Sequence, residues 1–198
     1  MRLKAILIAA LMVCGVSTVS AQIEKGLRYG VIAGLNCSNT DGEGSKSKIG
    51  FHVGARAEYN FSESLYATAS LLYSHKGFKA EHNDDFKANA GYLELPIMAG
   101  YRWSLNNGLS IFGETGPYFA YGICGKVKGD GDEDYDFFGD EEDSFGAKRF
   151  DAGWGIHAGV EYSKFQIRVG YELGFTKLYD VDDSAKNRNL MVSVGYTF

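Results

Sequence analysis

Asn189-Leu190-Met191-Val192-Ser193-Val194-Gly195-Tyr196-Thr197-Phe198 closes the chain. Leu190, Val192, Val194, Tyr196 and Phe198 share one parity. Asn189, Met191, Ser193, Gly195 and Thr197 share the other. Side chains alternate sides along a strand, so this stretch reads as a β-strand between two different solvents.

The same alternation recurs upstream. Arg28–Ser38 sets Tyr29, Val31, Ala33 and Leu35 on one face. Gly50–Phe61 sets Phe51, Val53, Ala55, Ala57, Tyr59 and Phe61 against His52, Gly54, Arg56, Glu58 and Asn60. Ser64–Phe78 aligns Leu65, Ala67, Ala69, Leu71 and Tyr73. Ala90–Trp103 opposes Leu93, Leu95, Ile97, Ala99, Tyr101 and Trp103 to Glu94, Pro96, Gly100 and Arg102. Gly108–Cys124 is less regular, with Glu114 and Gly116 opposite Leu109, Ile111, Phe119, Tyr121 and Ile123. Phe150–Tyr162 and Phe165–Thr176 alternate cleanly, the latter with Gln166, Arg168, Gly170, Glu172, Gly174 and Thr176 on its polar face. No helix-period segment of useful length follows the first twenty or so residues. The expectation is an all-β chain of eight strands.

Connection lengths add topology. Ser62-Glu63, Ser104–Asn107 and Ser163-Lys164 are short, and Asn107-Gly108 is a hairpin signal. Asn39–Lys48, Lys79–Asn89, Gly125–Arg149 and Lys177–Asn187 are long. Long and short connections alternate, as in an antiparallel up-and-down barrel with short periplasmic turns and longer outer loops.

Composition agrees with strands: 26 Gly, 13 Tyr and 13 Phe against 2 Pro among 198 residues. The first residues read as a signal peptide over 1–21. Arg2 and Lys4 precede the apolar run Ala5–Val16, and Val19-Ser20-Ala21 is a small-residue cleavage site before Gln22. Leu11-Met12-Val13 before Cys14 is too bulky for lipid attachment there. The mature domain is expected over 22–198. Losing Arg2 and Lys4 takes the formal charge from −5 to −7, which disfavours nucleic acid as a partner. Cys37 and Cys124 remain. They end strands on opposite walls of an eight-strand ring, Cys37 by parity outward and Cys124 inward, so two free thiols are expected.

Which face points inward is a question of volume. The interior of an eight-stranded barrel is just wide enough for side chains to fill. The apolar face carries Phe165, Tyr171, Phe175, Tyr101 and Trp103. The other carries Gly54, Gly100, Gly116, Gly153, Gly155, Gly159, Gly170, Gly174 and Gly195. The small residues are expected inside and the apolar face toward lipid. Tyr59, Phe61, Tyr101, Trp103, Tyr162, Phe165 and Phe198 would then form an aromatic girdle beside the short turns.

The segments Gly50-Phe51-His52-Val53-Gly54, Leu71–Gly77, Tyr92-Leu93-Glu94-Leu95-Pro96, Gly113-Glu114-Thr115-Gly116-Pro117 and the closing Gly195–Phe198 resemble the outer membrane protein beta-barrel domain family, often called porin-family and related in architecture to OmpA and OmpX. The resemblance covers essentially the whole mature chain. It implies a transmembrane barrel in the outer membrane of Gram-negative bacteria. It also implies a monomer that meets outer-membrane lipids and lipopolysaccharide, and insertion by the barrel assembly machinery. It assigns no activity, cofactor or metal.

Three constellations carry functional readings. Arg56, Glu58, Glu94, Arg102, Glu114, Glu161, Arg168 and Glu172 fall on the inward face with His52 and His157. They read either as an ion-pair network plugging the lumen or as an ion path, and Glu161–Arg168 is expected to pair across its hairpin. Asp130, Asp132, Asp134, Asp136 and Glu141 follow EF-hand spacing, but Tyr135 stands where that motif needs Gly. The plainer reading is a solvated acidic loop, with Tyr135, Phe137, Phe138 and Phe145 open to a protein partner. Ser74, His75 and Glu81 are the one set from which a lipid-modifying hydrolytic site could be drawn. The expectation is a non-enzymatic barrel with a structural or surface-interaction role through its outer loops. A narrow solute channel and a lipid A-modifying enzyme are the alternatives.

Overall fold

The computed structural model describes residues 25–42, 45–80, 87–128, 134–139, 144–179 and 185–198. The signal-peptide expectation lies outside them. The strands are β1 (Gly26–Thr40), β2 (Ser45–Asn60), β3 (Leu65–Ala80), β4 (Lys87–Ser104), β5 (Leu109–Lys128), β6 (Asp134–Phe138), β7 (Ser144–Ala147), β8 (Phe150–Tyr162), β9 (Phe165–Gly174) and β10 (Asn187–Thr197). Eight of them form a ring in which each pairs antiparallel with both neighbours: β1–β2–β3–β4–β5–β8–β9–β10 and back to β1. The closing stretch is the seam, running from Gly30 opposite Thr197 to Thr40 opposite Asn187. No sheet edge in the ring is left open, the condition for crossing lipid with strands.

The short turns form as the residues dictate. Asn107 and Gly108 take φ of 65° and 75°, the left-handed pair that a tight hairpin demands and that Asn-Gly accepts. The outer ends differ from expectation. β1 and β2 run on through most of Asn39–Lys48, so that connection shrinks to residues 41–44. The long outer segment contains β6, paired with the end of β5, and β7, paired parallel with β6.

The apolar face points outward. Tyr59, Phe61, Tyr101, Trp103, Tyr162, Phe165 and Phe198 are all exposed beside the short turns, and Leu71, Leu93, Ile97, Ile156, Val169 and Val194 continue an apolar belt above them. Inside, glycine makes room for rings. Tyr66 faces Gly100, Phe112 faces Gly159, Tyr118 faces Gly153, His52 faces Gly34 and His157 faces Gly170 across neighbouring strands. A Cβ on Gly100 would stand 2.3 Å from the Tyr66 ring, and one on Gly170 2.2 Å from His157. The inward glycines therefore admit bulky partners to a narrow lumen, a role that counting them as small fillers does not capture.

Cys37 and Cys124 are exposed free thiols. The inward placement expected for Cys124 is corrected. Gly91 pairs with Cys124 but Tyr92 with Gly122, so Ile123 is an extra residue on β5. That bulge shifts the parity beyond it, and Cys124 lies on the outer side near the Tyr73 hydroxyl, 3.8 Å away.

At the outer end Asp41 ties the rim together. Its carboxylate accepts the Lys186 amide at 2.6 Å and Arg188 Nη2 at 2.9 Å. Slight burial would raise its pKa, but these donors and the Arg188 charge hold it below the usual carboxylate value. A depressed carboxylate stabilises the fold above its unfolded pKa and loses that contribution as pH falls through the folded one. Asp41→Ala should therefore lower stability at neutral pH by no more than about 1 kcal/mol, since the pair is solvent-screened. The difference should shrink progressively as pH falls below the ordinary carboxylate range, as followed by urea unfolding across a pH series. A loss that persists undiminished in acid would assign it to something other than the carboxylate.

Candidate functional site

Alternation sends one side chain in every two into the lumen, and strand register decides which charges meet there. Nearest the short turns, Arg102 of β4 is fully buried. Its Nη2 donates to Glu58 Oε1 at 2.8 Å and Glu161 Oε2 at 3.2 Å, and its Nη1 to Asn60 Oδ1 at 3.2 Å. The guanidinium lies 4.4 Å above the Tyr66 ring. Arg28 of β1 reaches the same two carboxylates, at 3.4 Å from Glu58 and 3.1 Å from Glu161. Gln166 donates to Glu161 at 2.6 Å.

Beside this group, Glu114 of β5 is held between two arginines. Arg56 Nη1 donates to its Oε2 at 3.2 Å, Arg168 Nη2 donates to the same oxygen, and the Tyr66 hydroxyl donates to Oε1 at 2.8 Å. Arg56 also reaches Glu58 at 3.2 Å, which joins the two groups. Strands β1, β2, β3, β4, β5, β8 and β9 all contribute, so one network spans the lumen.

The expected Glu161–Arg168 pair does not form. Glu161 stands opposite Gln166, and Arg168 opposite Gly159. The hairpin thus offsets the two charges by one inward step. Arg168 crosses toward β5 and Glu161 toward β4.

The middle of the lumen is less charged. His52 bonds Asn36 Oδ1 and Ser193 Oγ, both at 2.8 Å. Ile32, Leu72 and Met191 pack together, and they line, with Met98, Arg56, Arg168 and His157, a cavity of about 20 Å³. That is room for about one water molecule.

Toward the outer end comes a second charged group. Lys76 Nζ lies 2.5 Å from Glu94 Oε2 and 3.2 Å from Glu172 Oε2. Only the second contact is aligned as a hydrogen bond, so both Glu94 oxygens lack a hydrogen-bond partner among the described residues. Glu172 also accepts from Asn189 at 3.1 Å. Above it, Asp151 accepts from Tyr118 at 3.2 Å and Asn187 at 2.9 Å. The parity rule could have found Lys76, Arg28 and Asp151. All three lie on inward positions of segments already read as strands, Arg28–Ser38, Ser64–Phe78 and Phe150–Tyr162, but the inward charge set omits them.

An aromatic lid closes the outer mouth. Phe137 and Phe138 of β6 turn inward and pack with Ala88, Ala90, Tyr92, Tyr118, Ala120, Val127 and Leu178. Phe138 meets Tyr92 edge-on at 5.4 Å. Arg149 lies over the Phe138 ring at 5.4 Å and donates to the Gly122 carbonyl at 3.1 Å. The expectation that Phe137 and Phe138 are free for a partner is thus corrected. Tyr135 is exposed.

The other two constellations do not assemble. Asp130, Asp132, Glu141 and the Phe145 side chain lie outside the described residues. Asp134 and Asp136 sit on β6 opposite Lys128 and Lys126, extended where an EF-hand loop would wrap around its ion. Among the described residues no group of three metal-ligating side chains gathers. Ser74 and His75 point to opposite sides of β3. Ser74 Oγ accepts from Asn36 inside at 3.1 Å, while His75 stacks on Phe51 outside at 5.6 Å. Adjacent residues of a flat strand cannot serve as nucleophile and base for each other. Glu81 lies outside the described residues.

The chain matches the family described as outer membrane protein beta-barrel domain over residues 20–180. Among solved structures, Neisserial surface protein A superposes with a TM-score of 0.52 at 16% identity, covering 88% of this chain and 100% of that one. The outer membrane protein OprG from Pseudomonas aeruginosa superposes with 0.52 at 13% identity, covering 89% and 98%. Ail, the attachment invasion locus protein of Yersinia pestis, superposes with 0.47 at 20% identity, covering 88% and 100%. A comparison with curated proteins found no match.

Proposed function

The chain belongs to the outer membrane protein beta-barrel domain family and resides in the outer membrane, and from that premise we propose that it is a plugged, non-enzymatic barrel. It serves the envelope structurally and meets partners through its outer loops. One observation carries the reading: the lumen is occupied along its length. The Arg56–Glu114–Arg168 and Arg102–Glu58–Glu161 group fills the inner end, His52 and the apolar residues the middle, and Lys76–Glu94–Glu172 under the Phe137–Phe138 lid the outer end. A conducting pore would need a continuous water column, and paired side chains stand where it would run. The opposed directions of Ser74 and His75 support the absence of a hydrolytic site on β3.

The test is electrical. Purified wild-type protein in planar bilayers should show no steady conductance above the bare membrane. Ohmic, reproducible single-channel currents from monodisperse protein would overturn the plug and establish a narrow solute channel instead.

A further inference from the structure

Strand register brings lysines together on one side of the outer rim. Lys46 stands opposite Lys79, Lys79 opposite Lys87, and Lys87 opposite Lys128. Four consecutive strands, β2 to β5, thus carry a lysine on one continuous rung. Directly opposed residues project to the same side of a sheet. The neighbours Ala88 and Val127 are buried inside, so the lysines project outward, away from the lumen. The β5 bulge at Ile123 matters here, because it also turns Lys126 to that side, opposite Asn89. Lys48 reaches over the row, donating to the Asn89 side chain and to the Ala88 carbonyl at 3.3 Å.

Like charges directly opposite one another destabilise a sheet. Among the described residues no carboxylate pairs with Lys79, Lys87 or Lys128 by ion-pair distance. Asp134 and Asp136 border only the β5 edge, by register. Across the barrel the rim is treated differently: Arg188 of β10 is neutralised by Asp41 at 2.9 Å.

The height of the row names its partner. Tyr73, Leu93 and Tyr121 share a rung of the apolar belt, and the exposed Phe51, Ile49 and Ile123 carry the belt farther out on β2 and β5. Lys79 follows Tyr73 by six residues. At ~3.3 Å per residue and ~40° of tilt this is about 15 Å farther out, at the level of lipid headgroups, and lysine stems can reach back toward it. Adjacent strands are ~4.8 Å apart, so the row offers four cations over about 15 Å.

We propose that this lysine row docks the phosphate groups of a phosphorylated outer-leaflet glycolipid. The lipid supplies the negative charge that no described carboxylate brings within ion-pair distance of Lys79, Lys87 or Lys128, and fixes one side of the barrel against its surroundings. The proposal rests on the outer-membrane location, and it is independent of whether the lumen conducts.

The test compares the wild type, the triple variant K79Q/K87Q/K128Q and a control, K177Q/K186Q, on the opposite rim. The readout is the temperature at which each purified protein loses its folded gel mobility. The probes are purified phosphorylated lipopolysaccharide, the same material dephosphorylated, and inositol hexakisphosphate as a soluble polyanion. Without lipid, the triple variant should be at least as stable as the wild type, because repulsion is relieved. With phosphorylated lipopolysaccharide the wild type and the control should each gain several degrees, and the triple variant should lose most of that gain. High salt should weaken the gain. A triple variant less stable than the wild type without lipid would show that the lysines are neutralised within the chain, and would overturn the proposal. So would a gain that survives dephosphorylation or the triple substitution. An equal gain with inositol hexakisphosphate would replace the lipid by a soluble polyanion. Should the triple variant not fold, mass spectrometry of lipid co-purifying with K87Q against the wild type decides the question: unchanged lipid occupancy overturns it. Channel currents from the wild type would bear on the plug and leave these outcomes untouched.

Discussion

Glu114→Ala is expected to be among the most damaging single substitutions in the barrel, costing about 3–5 kcal/mol of unfolding free energy. Glu114 is 3% exposed and carries Arg56, Arg168 and the Tyr66 hydroxyl. Its removal leaves two guanidinium groups buried against one another. Arg56 keeps Glu58 at 3.2 Å, whereas Arg168 keeps no carboxylate among the described residues, but a 3.4 Å contact to His157 and the Phe112 ring at 5.5 Å. The reverse substitution should be milder. Arg168→Ala leaves Glu114 with Arg56 and Tyr66, so its cost is set by one lost charged hydrogen bond, about 1.5–3 kcal/mol. Urea unfolding in lipid vesicles, followed by gel mobility, measures both. Equal losses would show that the two arginines do not share Glu114.

That asymmetry could not be read from the chain alone. Parity placed Glu114, Glu161 and Arg168 inside, and all three are buried there. It said nothing about which strand each side chain crosses to. The nearest neighbours in sequence, Glu161 and Arg168, turn out to belong to different halves of the network because register offsets them. In the membrane-spanning part, lipid on one side and a narrow lumen on the other enforce alternation, so the eight strands were legible. Above the membrane the outward face of a strand meets water or headgroups instead of hydrocarbon. Polar residues such as Ser45–Lys48 then continue a ladder with no hydrophobic signature. The lid escaped for a related reason. Phe137 and Phe138 sit in a stretch rich in acids, and only the three-dimensional return of β6 over the mouth reveals them as core. The Ile123 bulge, one extra residue, reversed the parity of Cys124 and of the lysines beyond it.

Lys76→Met should rival Glu114→Ala in cost. Lys76 is 3% exposed and is the cation nearest both Glu94 and Glu172, which are 0% and 1% exposed. Met keeps the length and apolar stem of the side chain but removes the ammonium, so packing is conserved while two carboxylates lose their counter-charge. A buried pair broken on one side costs about 3–5 kcal/mol, whereas replacing all of its charges together is close to neutral. The triple variant K76M/E94Q/E172Q should therefore recover most of what Lys76→Met loses, and in the same unfolding assay should fall within about 2 kcal/mol of the wild type. The contact of Lys76 with the Tyr118 ring, at 5.0 Å, is absent in both variants and accounts for about 0.5–2 kcal/mol of any shortfall. Recovery would locate the damage in uncompensated charge. A triple variant as unstable as Lys76→Met would locate it instead in the packing between Lys76 and the aromatic rings beneath the lid. The outer group would then hold the barrel together by shape, and the charge network proper would end at the Arg56–Glu114–Arg168 layer.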